Sequence, residues 1–271
     1  MTWWQALVLG LVQGLTEFLP VSSSAHLVLV PHLLEWELPP AQAFVFDVLV
    51  QGGTLLAVLV YFRAEWWAMT RAGWRALRAP RTAWRDPDAR LLLLVGLATV
   101  PAGVAGLLFK DAVEAAFAAP RAVGGFLLLT AGLMAGAELL GRHTRPLSQL
   151  SPGDALLIGL GQALALLPGV SRSGSTMAAG MMRHLQRAAA ARFAFLMAVP
   201  IMLAASALAV KDWLAMPHAA GFALPMAVGF VTAALAGYGA IRALLGYLAR
   251  HSLWPFVAYC ALVGLLVSWL G

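Results

Sequence analysis

Six stretches of the chain are apolar for long enough to cross a bilayer: roughly 43–62, 91–109, 122–140, 188–210, 222–241 and 254–270. A helix needs about 20 such residues to span a hydrocarbon core of about 30 Å. Two further stretches, around 3–34 and 155–182, are apolar but interrupted. The first runs WWQALVLGLVQGLTEFLP, then VSSSA, then HLVLVPHLL; the second runs ALLIGLGQALALLP, then GVSRSGS, then TMAAGMM. Most of these pieces are too short to span. Each interrupted stretch therefore predicts a helix, a turn and a second helix that re-enters on the side it came from. Broken backbone at membrane depth is tolerated only where protein buries it or where it lines a wet cavity. The two breaks are thus candidate sites from the start.

The breaks also repeat. GLVQ at 10–13 returns as GLGQ at 159–162, an offset of 149, and Val21-Ser22 returns as Val170-Ser171 at the same offset. Pro20 and Pro168 differ from it by one residue. Each half of the chain is then one broken hairpin followed by three spans. Three is odd, so the second half should be inverted relative to the first. The expected architecture is an all-α polytopic membrane protein forming a single domain over 1–271. It has six transmembrane helices plus two re-entrant helix pairs in an inverted-topology repeat, with halves at about 1–140 and 150–271. Transporters built this way place their sites where two such breaks meet near the midplane.

Composition agrees. Hydrophobic residues make up 61% and charged residues 11% of the 271, against roughly half and a quarter in soluble domains. A soluble enzyme, a disordered chain and a disulfide-stapled module are excluded. Cys260 is the sole cysteine and cannot pair within the chain. The N-terminus lacks a basic leader region and reads as no cleavable signal peptide. The net charge of +6 could suggest nucleic acid, but 14 of the 18 basic residues fall in 63–90, 141–154, 183–192 and 242–250. In the expected topology these four segments lie on one side, which the positive-inside bias makes cytoplasmic. The arginines therefore report topology.

Arg172, in PGVSRSG, stands apart from that group, at the second break. Glu17 and His26 flank the first, in QGLTEFLPVSSSAH. Ionisable groups inside a membrane are costly and usually mark function. If the breaks meet, an acid, an imidazole, several hydroxyls and a guanidinium converge. Arg172 presents a planar donor fork suited to phosphate oxygens. Ser171, Ser173 and Gly174 surround it at the start of a half-helix, where N–H groups and the dipole favour an anion. Ser22, Ser23 and Ser24 follow Pro20 and can cap the other half-helix. Ser23 and His26 share a helical face at three-residue spacing, a nucleophile–base arrangement. Glu17 can orient His26 or handle a proton, and Gln13, one turn earlier, can reach the same cavity. Asp47, Gln51 and Glu138 either line the cavity or bond neighbouring helices. His32, His143, His184, His218 and His251 lie near membrane edges without ligand spacing.

These motifs resemble the signatures of the undecaprenyl-diphosphate phosphatase family, the bacitracin-resistance proteins of bacterial inner membranes. The family's first motif, Glu/Gln-x-x-x-Glu followed by Pro-x-Ser-Ser-x-x-His, falls on Gln13, Glu17, Pro20, Ser22, Ser23 and His26. The second, Pro-Gly-x-Ser-Arg-Ser-Gly, falls on Pro168, Gly169, Ser171, Arg172, Ser173 and Gly174. The resemblance covers essentially the whole chain. It implies hydrolysis of undecaprenyl diphosphate, a C55 isoprenoid diphosphate, to the monophosphate carrier of peptidoglycan synthesis. It also implies a site facing the periplasm and a divalent cation, Mg or Ca, for which Glu17 is the candidate ligand. Many members carry Glu where this chain has Gln13, so one carboxylate available to a metal is absent here.

From this reading Glu17, Ser23, His26 and Arg172 are the expected catalytic residues. Gln13, Ser22, Ser171, Ser173 and Gly174 are the expected substrate-binding residues. Ser23 is the preferred nucleophile with His26 as its base, and His26 as direct nucleophile is the alternative. The partner is a lipid diphosphate within the membrane; the sequence leaves the oligomeric state open, a homodimer included. A transporter or flippase of a lipid phosphate is the competing class, since the inverted repeat suits it as well.

Overall fold

The computed structural model describes residues 1–38, 40–79, 83–109, 120–215 and 222–270, and these are predominantly helical. Lys110, Asp111, Glu114 and His218 lie outside the described residues. The helices are α1 (Trp3–Phe18), α2 (Ser23–Leu33), α3 (Pro40–Tyr61), α4 (Arg63–Arg78), α5 (Pro87–Leu108) and α6 (Pro120–Leu140), followed by a 3-10 turn (Leu147–Gln149). The second half holds α7 (Pro152–Leu164), α8 (Arg172–Met182), α9 (Arg187–Ala215), α10 (Ala223–Leu248) and α11 (Trp254–Leu270).

Among the described residues four helices are long and apolar enough to cross a membrane: Pro87–Leu108, Ala122–Leu140, Arg187–Ala207 and Ala223–Leu248. α3 and α4 meet that test only together, as a pair bent by 78° that counts as a fifth span if taken as one. α4 continues the chain as an amphipathic helix with Trp67, Trp74 and Leu77 exposed. The expected sixth span is α11, apolar throughout but only 17 residues long. The protein is therefore a multi-pass membrane protein.

Both interrupted stretches fold as helix pairs. α1 has 16 residues and α7 has 13, while α2 and α8 have 11 each. At 1.5 Å per residue these are about 24, 20 and 17 Å long, short of a full crossing. The same cap starts each pair. Thr2 and Gln5 form a capping box on α1, and Ser151 and Asp154 form one on α7. These four positions keep the offset of 149 although their letters differ.

The repeated glycine of GLVQ and GLGQ has a packing reason. A Cβ at Gly10 would lie 2.5 Å from the Gly229 carbonyl oxygen on α10, and one at Gly159 would collide with the Ala98 carbonyl oxygen on α5. Only glycine permits these backbones to approach so closely. α1 thus packs on α10, and α7 on α5. Each hairpin leans on a span of the opposite half of the chain.

The arginine-rich end fixes the mouth of the second hairpin. Arg145 and Arg183 both bind the fully buried Asp154 at 2.7 Å. Arg187 binds Glu138, which also accepts the Leu253 N–H at 2.7 Å. Arg90 donates to the Ser148 and Leu150 carbonyls. Of the two uses open to Glu138, the structure shows helix bonding.

Candidate active site

Glu17 sits in the last turn of α1, 8% exposed, and three donors from three places meet on it. Gln13, one turn earlier, donates Nε2 to Oε2 at 2.9 Å. Ser23, the first residue of α2, donates Oγ to the same oxygen at 2.5 Å. Arg172, the first residue of α8, donates Nη2 to Oε1 at 2.6 Å from across the molecule. The two breaks are also joined by Ser173 Oγ donating to the Leu19 carbonyl at 3.0 Å and by the Gly169 N–H reaching Ser24 Oγ at 3.4 Å. The turns that allow this are tight: Ser22 has φ 69° and Gly169 has φ 97°. For a serine that region is unfavourable, and short polar side chains tolerate it best.

A cavity of about 300 Å³ opens beside this junction. Thr16, Glu17 and Ser22–Ser24 line it from the first hairpin, Gln162, Ser171 and Arg172 from the second, and Gln51 from α3. It is large enough for a diphosphate and mixes one cation with hydroxyls and amides. The donor fork of Arg172 and the serine hydroxyls suit phosphoryl oxygens.

Several expected residues take other positions. Gln13 is fully buried and stands behind Glu17, outside the cavity lining. Ser173, Gly174 and His26 are also absent from the lining. The Gly174 N–H is taken by Ser171 Oγ at 3.1 Å, so it caps α8 and does not offer itself to an anion. Ser22 makes no side-chain cap on α2; its Oγ pairs with Ser24 Oγ at 3.2 Å.

The expected Ser23–His26 pair is not formed. Helical side chains lean toward the helix N-terminus. Ser23 has no turn before it, so its hydroxyl reaches back over the break to Glu17. The His26 ring leans back onto the Ser22 carbonyl, with Nδ1 at 2.7 Å. That carbonyl can only accept, so Nδ1 carries a proton. Nε2 lies 2.6 Å from the Tyr259 hydroxyl, which donates to it when the ring is neutral. The two rings are also stacked, 5.7 Å apart.

Glu17 was the candidate ligand for a divalent cation. Among the described residues no three His, Cys, Asp or Glu side chains converge. Both Glu17 oxygens already accept hydrogen bonds, one of them from a guanidinium, and Gln13 brings a neutral amide. A hard dication takes roughly six oxygens, and this donor set does not fit one held by the protein alone.

Sequence reasoning missed three participants. Gln162 was visible as the repeat mate of Gln13. Thr130, whose hydroxyl accepts the Ser171 N–H at 3.0 Å, and Tyr259 lie in apolar spans that give no local signal.

The family model described as Bacitracin resistance protein BacA matches residues 6–266. The chain belongs to this family. A protein named undecaprenyl-diphosphatase from Gemmatimonas aurantiaca is 44% identical over 267 residues, covering 98% of this chain and 97% of that one. One of the same name from Magnetococcus marinus is 44% identical, covering 97% and 96%. Another, from Alcanivorax borkumensis, is 40% identical over the full length of both chains. Family membership and site geometry thus concern the same residues, since the matched range includes both breaks.

Proposed function

We propose that this protein hydrolyses undecaprenyl diphosphate to undecaprenyl phosphate and inorganic phosphate. The reading rests on its family and on one observation: Glu17, Ser23 and Arg172 meet at the wall of a cavity inside the membrane domain. In this reading Ser23 Oγ attacks the terminal phosphorus and passes its proton to Glu17 Oε2. The bond from that phosphorus to the bridging oxygen breaks, and the lipid monophosphate leaves with that proton, handed on by Glu17. Ionised again, Glu17 takes a proton from water, which attacks the serine-bound phosphorus, and Ser23 Oγ leaves with the proton that Glu17 returns. Arg172 neutralises the charge that develops on the transferred group. The Ser23–Glu17 hydrogen bond supports Glu17 as the base in place of His26. His26, held by Ser22 and Tyr259, supports the backbone turn that carries Ser23.

The halves of the chain form an inverted repeat in this proposal, with the arginine-rich end cytoplasmic and the cavity reached from the periplasmic side of a bacterial inner membrane. Cation dependence, where present, arises with substrate oxygens added to the site. The test is phosphate release from a prenyl diphosphate by purified protein in detergent micelles. Micelles have no two sides, so transport cannot produce phosphate there. Release by the wild type, and its loss in a folded Ser23→Ala variant, is the expected result. No release by the wild type would overturn the reading.

A further inference from the structure

Gln162, on α7, lines the cavity beside Glu17 and Arg172. It is 2% exposed, and neither its Nε2 nor its Oε1 has a hydrogen-bond partner among the described residues. Buried amides are nearly always paired, because leaving one unpaired costs stability. Its repeat mate Gln13 has an acceptor one turn on, Glu17; one turn on from Gln162 stands Leu166, which has none. The Gln162 amide therefore has no acceptor on its own helix.

Its position is also held firmly. The Gly161 carbonyl accepts Ser175 Oγ at 2.8 Å, and a Cβ at Gly161 would lie 3.0 Å from the Ser175 carbonyl oxygen. The last turn of α7 is thus pinned against α8, whose first residue is Arg172. A diphosphate presents more oxygens than one guanidinium fork can reach, and Arg172 is shared with Glu17. A neutral amide can donate to a second phosphate without bringing another charge into the membrane.

We propose that Gln162 is a substrate-contacting residue whose side-chain N–H donates to the phosphate that stays on the lipid, while Arg172 holds the phosphate that is attacked. The proposal rests on the diphosphatase reading. It makes Gln162 the group that distinguishes a diphosphate from a monophosphate.

The experiment compares wild type, Gln162→Leu and Gln162→Glu in detergent. It measures kcat and KM on a prenyl diphosphate and competitive inhibition by inorganic pyrophosphate and by inorganic phosphate. Loss of one hydrogen bond to a charged group predicts a KM raised on the order of ten-fold in Gln162→Leu, with kcat close to wild type. The inhibition constant for pyrophosphate rises alike, and that for phosphate stays put. The melting temperature of Gln162→Leu holds or rises, because an unpaired buried amide is gone. Gln162→Glu keeps the size, loses the donor and gives a larger KM rise, so it tests the same claim should the leucine variant not fold. An unchanged KM, or equal shifts for pyrophosphate and phosphate, overturns the proposal while leaving the diphosphatase reading intact. A wild type that releases no phosphate overturns that reading instead.

Discussion

Arg172 and Glu17 are 155 residues apart in the chain and 2.6 Å apart in space. Their ion pair closes the two breaks on each other and sets the charge of the cavity. Arg172→Ala should lower kcat roughly 10²- to 10³-fold, the usual cost of one donor to developing charge. Arg172→Lys should recover little, because an ammonium lacks the planar fork. Phosphate-release kinetics on protein shown monodisperse in detergent would decide it. Wild-type rates in the alanine variant would remove Arg172 from the phosphate site.

Ser23 and Glu17 share one short hydrogen bond and, in the proposed chemistry, act as a unit. Single changes Ser23→Ala and Glu17→Gln should each cost at least about 10³-fold in kcat, and the double change little more than either alone. Additive losses in the double-mutant cycle would mean that the two groups act independently.

Tyr259 has a narrower role. Tyr259→Phe removes the hydroxyl on His26 Nε2 and keeps the ring. It should lower kcat/KM roughly five- to ten-fold, about the value of one hydrogen bond. His26→Ala should cost more, since it also removes the ring N–H from the Ser22 carbonyl at the strained turn and leaves it only the longer backbone bond from residue 26. If Tyr259→Phe matched the loss in His26→Ala, the hydroxyl would be the main contribution of the pair.

Gly10 and Gly159 make the same prediction twice. Adding a methyl at either position drives it into a carbonyl oxygen of a neighbouring span. Gly10→Ala and Gly159→Ala should each destabilise the protein by about 1–3 kcal/mol, the range for overpacking. Thermal unfolding in detergent, read for both variants side by side, checks this. A melting temperature unchanged in either would contradict the close helix contact.

Gln13→Glu restores a second carboxylate one turn from Glu17. Under the proposal that substrate oxygens complete any cation site, titrating Mg or Ca into metal-stripped protein with substrate should show the rate rising at a lower cation concentration in this variant than in wild type. An identical midpoint would mean that position 13 takes no part in cation binding.

Much of this arrangement was legible in the chain. Uninterrupted apolar runs gave four of the six expected spans outright, those of α5, α6, α9 and α10, and Pro20, Pro168 and the serine clusters gave the breaks. The letters shared by Gly10–Gln13 and Gly159–Gln162 gave the repeat. The capping pairs at Thr2–Gln5 and Ser151–Asp154 hid from that comparison because different residues do the same hydrogen bonding. The Ser23–His26 pair misled, because three-residue spacing fixes a shared face and says nothing about the backward lean of side chains at a helix start. Tyr259 was illegible: its contact with His26 spans 233 residues and depends wholly on tertiary packing.

Because α1 leans on α10, a helix translated earlier waits for one translated much later. Glu17 enters the membrane early, yet its guanidinium partner and the span that braces its helix are translated much later. Neither half can carry a finished catalytic centre by itself, so competence should appear only once the closing helices have been inserted.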